Sequence, residues 1–251
     1  MHSVVAKAAI AFTGGKDCVL ALHLVSRYFC AASEVSFLDP VVLVSFRPHS
    51  DDDDFKAHKH EWVRMQAESL GLPLVVKRIG GPDYEETYRR AIRELGADYG
   101  VTKLVTGDIE DVGEGFMDRA VTETGVDLVR PLWKMPRTQV LSLLQSLDIV
   151  YVVTLTRLDK LPLPISEQLL GHVVTHEYLL ELFEWYNENH AQMDFSNVDL
   201  AGEFGEMHSM VRSCPLFQWQ VVHSAGSNML TESQFGSYMY LSPGKLSIIP
   251  K

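Results

Sequence analysis

A chain of 251 residues is long enough to bury a substantial core, as one large domain or two modest ones. Its 33 acidic side chains against 22 basic ones leave a net charge of −11, which argues against strong nucleic-acid binding through phosphate neutralisation. The longest apolar runs, such as Ile149 to Leu155, are far too short to span a bilayer, no signal-peptide pattern precedes the first apolar run, and the cysteines Cys18, Cys30 and Cys214 lack metal spacing, so no membrane association, no zinc site and a cytoplasmic, reducing location are expected.

Val4 to Phe12 is apolar apart from Lys7 and reads as a buried strand. The string Thr13-Gly14-Gly15-Lys16-Asp17-Cys18 follows, and Val19, Leu20, Leu22, Val25 and Phe29 then recur at helical spacing. A strand that turns through Gly-Gly into a helix leaves backbone N–H groups unpaired and aims them, with the helix dipole, at one point. That arrangement is an anion site. Lys16 adds a mobile positive charge, Thr13 and Cys18 add side-chain donors, and Asp17 is placed to hold a magnesium ion against phosphate oxygens. The string is neither a Walker P-loop nor a dinucleotide fingerprint, because its glycines are adjacent and Lys-Asp follows them.

Val41 to Phe46 is a second strand, and Arg47 to Lys59 reads as a polar segment whose run Asp51 to Asp54 is a solvated loop. Glu61 to Gly71 is predicted helical, with Trp62, Met65 and Leu70 inward and a stop at Gly71 and Pro73. Leu74 to Val76 is a third strand, and Pro82 to Leu95 a helix with Tyr84, Tyr88, Ala91, Ile92 and Leu95 on one stripe. Leu104 to Thr106 forms a fourth strand that runs into Gly107-Asp108. Phe116 to Thr124 follows as a helix, and Val126 to Val129 as a fifth strand. This alternation predicts an α/β fold, a doubly wound parallel sheet of Rossmann-like type, with the Gly-Gly loop and Gly107-Asp108 at the carboxyl ends of its strands.

After Pro131 the texture changes. Arg137 to Leu147 is helical, Ile149 to Leu155 is a β-branched strand, and Leu161 to Pro164 is a rigid connector. Val174 to Asn189 is a long helix whose aromatic stripe, Tyr178, Phe183, Trp185 and Tyr186, serves as core or as a subunit contact, which leaves a homodimer open. A soft boundary near Pro131 to Met135 divides residues 1–131, the domain of the glycine loop, from residues 132–251, a smaller α+β domain. Within the second part, Ala201-Gly202-Glu203-Phe204-Gly205-Glu206-Met207-His208-Ser209 stands out. Its glycines permit close backbone approach, and Glu203, Glu206 and His208 either converge on one ligand or form a solvated turn.

The first loop resembles the Ser-Gly-Gly-Lys-Asp-Ser loop of the PP-loop ATP pyrophosphatases, with Thr13 and Cys18 where serines usually stand. The second segment, followed by Cys214-Pro215-Leu216-Phe217, resembles the Gly-Glu-Gly-Gly-Glu box and Pro-Leu/Met-Phe strand of the diphthine–ammonia ligases and their relatives. Gln66 to Pro73, Thr106 to Ile109 and Arg130 to Trp133 resemble the helix-to-strand passage, the fourth-strand end and the domain junction of that family. Three departures stand beside these matches. Gly113 to Met117 replaces a Tyr-Gln-x-x-Arg stretch, Phe204 replaces a Gly or Asn, and Ala201 replaces a Cys.

The resemblance implies an ATP-dependent ligase that adenylates a carboxylate, releases pyrophosphate and transfers ammonia to give an amide and AMP. Its acceptor would be diphthine, a modified histidine of translation elongation factor 2. Thr13, Gly14, Gly15, Lys16, Asp17, Cys18 and Gly107 would bind ATP with Mg²⁺, Asp17 as the metal ligand. Asp108, Glu203 and Glu206 would be catalytic, the two glutamates acting on ammonium, and Cys18 would be a serine surrogate with a weaker donor. Another amidating or tRNA-modifying PP-loop enzyme is one alternative, and a nucleotide-binding protein without turnover is the other.

Overall fold

The computed structural model describes residues 5–26, 37–48, 56–190 and 192–251. The expected loop at Asp51 to Asp54, together with Val4, Phe29 and Cys30, lies outside the described residues. The described residues divide into two compact units. The first draws on Met1–Thr13, Asp17–Asp54 and Ala67–Lys134, and the second on Gly14–Lys16, Phe55–Gln66 and Met135–Lys251.

The first unit is built on five strands, β1 (Ala6–Ala11), β2 (Leu38–Pro48), β3 (Leu74–Ile79), β4 (Lys103–Val105) and β5 (Asp127–Val129). They lie in the order β3-β2-β1-β4-β5, and every pairing is parallel. Helices α1 (Lys16–Val25), α2 (His60–Leu70), α3 (Tyr84–Tyr99) and α4 (Phe116–Val121) form the crossovers. This is the Rossmann-like arrangement expected from the alternating pattern. β1 is central and buried on both faces, and Ala8, Ala9 and Ile10 are fully covered, the small alanines letting neighbouring elements approach closely. Ala9 joins Val42, Val44, Ile92, Leu95, Leu104 and Val126 in one apolar cluster.

The strand order positions the functional loops. The chain winds outward from β1 through β2 to β3, then returns to place β4 on the other side of β1. The carboxyl ends of β1 and β4 therefore flank the topological switch point, where ligands of open α/β sheets bind. Thr13 leaves the first of these ends and Gly107-Asp108 the second.

Several boundaries differ from the sequence reading. Strand β2 continues through Arg47, whose side chain is buried, although the residue was expected to begin a polar segment. Helix α3 runs to Tyr99, one turn beyond Leu95, and stops at Gly100 in the left-handed conformation.

The second unit holds α5 (Arg137–Ser146), β6 (Val150–Arg157), α6 (Leu163–Leu169), α7 (His176–Asn189) and β7 (Met207–Ser213). It is completed by β8 (Trp219–His223), β9 (Ser227–Ser233), β10 (Gly236–Ser242) and β11 (Leu246–Pro250). An antiparallel sheet ordered β7-β6-β10-β9 and a two-stranded β11-β8 ribbon give this unit its α+β character. Helix α6 starts inside the expected Pro-rich connector, because Pro at the first helical positions has a fixed φ that suits helix entry. The strand of the box region is β7, ahead of Pro215; Pro215 and Leu216 form a turn where a strand was expected. In α7, Phe183 is buried and stacks on Phe195 at 4.3 Å, so that part of the aromatic stripe is core, while Trp185 stays at the surface.

Candidate active site

In the first unit, Thr13 is exposed, Asp17 half-buried and Cys18 buried. The Thr13 hydroxyl and the Cys18 thiol lie 3.8 Å apart across the start of α1. Gly107 packs directly on that helix start. A β-carbon at Gly107 would stand 2.7 Å from the Asp17 carbonyl carbon and 2.8 Å from the Cys18 nitrogen, both backbone atoms that cannot swing away. Only glycine lets the end of β4 touch the first turn of α1.

Asp108 follows, half-buried, with the Thr106 hydroxyl donating to its Oδ2 at 2.7 Å. Burial pushes its carboxyl above the usual range, and the Thr106 bond and the Arg130 guanidinium oppose that only in part. Arg130 is itself tied to both oxygens of Asp118 at 2.8 and 3.0 Å and lies 3.7 Å over the Trp133 ring.

The rest of the loop belongs to the second unit, and there the structure departs from a free anion loop. Gly14, Gly15 and Lys16 are buried. The Gly14 carbonyl accepts from the Val211 N–H at 2.9 Å and from Gln66 Nε2 at 2.9 Å. The Lys16 N–H donates to Ser209 Oγ at 3.2 Å, and its ammonium donates to the Ala201 carbonyl. Lys16 was expected to be a mobile charge; it is instead only 4 % exposed and held by a backbone acceptor.

The Lys16 contact leads into the second predicted motif. Residues 201–206 form a turn leading into β7. Glu206 is buried, its Oε2 accepting from the Phe204 N–H at 3.1 Å and its Oε1 from the Asp199 N–H at 3.3 Å. Asp199 in turn accepts from the Ala201 N–H at 2.8 Å and pairs with Arg137 at 2.6 Å. These carboxylates shape the turn by satisfying backbone donors that its tight course would otherwise strand. Glu203 is half-buried on the same turn.

His208, in β7, meets His58 edge-on at 5.3 Å, and His58 Nδ1 lies 3.4 Å from the Met210 sulfur. Burial, with the positive Lys16 as a smaller cause, lowers the His208 pKa to about 4, so the ring is neutral at physiological pH. Cys214 is buried and its thiol is pushed up to about 12 by that burial, which makes it an inert core residue.

Sequence reasoning assigned no site role to Gln66 or Val211, and it placed Trp62 inward without its hydrogen bond. The Val211 carbonyl accepts from Gln66 Nε2 at 2.7 Å and from Trp62 Nε1 at 3.2 Å. Gln66 stood in a recognised stretch, yet nothing in its spacing marks a partner 145 residues away.

Residues 6–128 match the sequence model of the family described as Diphthamide synthase N-terminal domain. That stretch contains the Gly-Gly-Lys-Asp loop and Gly107-Asp108, while the glutamate turn lies beyond it. A comparison with curated proteins finds no match.

Two outcomes follow from this geometry. Gly107→Ala forces backbone apart at the start of α1 and should destabilise the protein by about 1–3 kcal/mol, read as a lowered denaturant midpoint. An unchanged midpoint contradicts the close approach. For His208, the folded pKa lies below the unfolded one, so its contribution is complete above about pH 6.5 and is lost as pH falls towards about 4. His208→Gln should flatten stability between those pH values, measured by urea unfolding, whereas the unaltered protein weakens steadily across the same window.

Proposed function

Because residues 6–128 match the family model described as Diphthamide synthase N-terminal domain, we propose that the chain is a PP-loop enzyme of that family, an ATP-dependent amide ligase acting on diphthine of translation elongation factor 2. The observation that carries this reading is the Gly-Gly-Lys-Asp loop at the carboxyl end of β1, inside the matched stretch. In the proposed reaction an acceptor carboxylate oxygen attacks the α-phosphorus of ATP, and the bond to the bridging oxygen breaks to release pyrophosphate. Ammonia then attacks the acyl carbon, the bond to AMP breaks, and the surplus proton passes to a protein base.

This chemistry needs little covalent help and much neutralisation of developing phosphate charge. The loop Thr13 to Cys18 is the proposed triphosphate site. Because the Lys16 N–H already donates to Ser209 and its ammonium to the Ala201 carbonyl, Lys16 would have to exchange these partners to contact phosphate. Among the described residues no group of three or more His, Cys, Asp or Glu forms a metal cage. Magnesium is commonly held by one or two carboxylates together with substrate phosphates. Asp17, half-buried in the first turn of α1, is the proposed ligand. Asp108 is proposed to orient water or the metal from the end of β4.

Of the two glutamates, Glu203 is the better candidate for the base. Glu203 is half-buried and so within reach of solvent ammonium, whereas Glu206 is buried and is proposed to hold the turn through its backbone bonds. Glu203 would attract ammonium and take its proton.

The test supplies the purified chain with ATP, Mg²⁺, ammonium and diphthine-bearing elongation factor 2. Amide, AMP and pyrophosphate should form in equal amounts. ATP binding without AMP release would mark a nucleotide-binding protein lacking turnover, and AMP release that needs a different acceptor would mark another PP-loop enzyme. Glu203→Gln should slow amide formation by about 10²–10⁴-fold while leaving ATP affinity intact. Lost ATP binding, or an unchanged ammonium dependence, removes Glu203 from this role.

A further inference from the structure

Strand β9 lies at one end of the sheet β7-β6-β10-β9 and pairs with β10 alone. Among the described residues its other edge makes no backbone hydrogen bond. Such an edge presents a row of N–H and C=O groups that readily accept another strand, and proteins guard against this with lysine, proline or a bulge. β9 carries none of the three. Its sequence, Ser-Asn-Met-Leu-Thr-Glu-Ser, has no Lys or Pro, and its register with β10 is unbroken from Ser227 to Ser233.

The side chains of the hairpin agree with an open edge meant to be covered. Met229 is 44 % exposed, Leu230 64 % and Phe235, at the tip, 71 %. Leu230 stands directly across from Met239 of β10, which is buried, so an apolar row runs out to the free edge. From Ser227 to Ser242 the one charged side chain is Glu232, in a chain that is 22 % charged. Loss of charge beside exposed apolar groups is the composition of an interface core. Two copies that each carry a net charge of −11 repel, and this hairpin lets them meet at low electrostatic cost.

The strand is also complementary to itself. Antiparallel pairing about Leu230, its middle residue, engages all seven residues of β9. It sets Leu230 across from its own copy and Met229 across from Thr231. Asn228 then falls across from Glu232, so each carboxylate meets an amide donor and not another carboxylate. Lys56 donates to Thr231 Oγ1 at 2.7 Å and stands 5.3 Å over the Tyr240 ring, on the face opposite Leu230. We propose that β9 is a homodimer interface, in which two copies join edge to edge about a twofold axis at Leu230 and the sheet continues from one into the other. The self-complementary register selects a second copy as the occupant, because a twofold contact uses the same patch on both subunits. The inference is independent of the proposed reaction.

Sedimentation velocity of the full chain over about 1–300 μM should show a reversible monomer–dimer equilibrium, the range in which a small interface dissociates. A monomer throughout, or association that continues past the dimer, overturns the proposal. Leu230→Lys places two ammonium groups opposite one another at the axis and should weaken the dimer by about tenfold or more. An unchanged dimer in that variant puts the interface elsewhere and removes β9 from it.

A cross-linking test reads the register and stands even if the lysine variant fails to fold. Leu230→Cys sets two thiols across from each other at the axis, at a separation a disulfide can span. Asn228→Cys sets them about 14 Å apart along the strands. Mild oxidation should therefore give a covalent dimer of the first variant and not of the second. Equal cross-linking of both, or of neither, overturns the inference.

Discussion

The carbonyl of Gly14 is the point on which the loop depends. It receives the Val211 N–H from β7 and the Gln66 amide from α2, while the Val211 carbonyl receives Gln66 and Trp62. Four hydrogen bonds thus close around two backbone oxygens in a buried setting. Each carbonyl has two lone pairs and both are used, so little freedom remains in the peptide that follows. Under the proposed function the loop would gain from this, since a backbone already fixed need not be ordered when a ligand arrives. The cost is one unsatisfied amide oxygen on Gln66.

The same economy governs the glutamate turn. Its two most buried carboxylates, Asp199 and Glu206, are spent on backbone N–H groups and on Arg137. Acceptors aimed at backbone donors rigidify a turn without demanding a ligand. Lys16 ends on the Ala201 carbonyl, a partner supplied by that turn, so the turn's shape also sets where the loop's ammonium rests. The spaced glutamates of the sequence are therefore unequal in the fold. One is locked into the turn, and Glu203 is left partly open to solvent.

Much of the first unit was legible because periodicity and glycine placement are local signals. The alternation from β1 to β5, the strand-loop-helix passage at Gly14 to Asp17 and the stop at Gly71 all show in windows of a few residues. Arg47 was misread because its polarity outweighed its place at the end of a strand, whereas in the fold the side chain is buried. Helix α6 and the strands β8 to β11 went unread. They are short, and the exposed Leu230 and Phe235 blur the alternation that identifies a half-buried strand. The bonds that Gln66 and Trp62 make to the Val211 carbonyl were beyond reach for a different reason, although Trp62 was read as inward. Side-chain bonds to distant backbone leave no period in sequence, and only the fold brings them together.

Charge explains why the loop was misjudged in one respect. A lysine after two glycines suggests a solvent-exposed, mobile cation, but an overall acidic chain has little surplus positive charge to place near a polyanion. Burying Lys16 against a carbonyl removes it from the screening of bulk solvent, where a surface charge would count for little. His208, which feels the Lys16 charge, stays neutral at physiological pH. The imidazole therefore adds no charge beside Lys16 in the neutral range, and the bonds of the Lys16 N–H to Ser209 and of its ammonium to the Ala201 carbonyl set where that side chain stands.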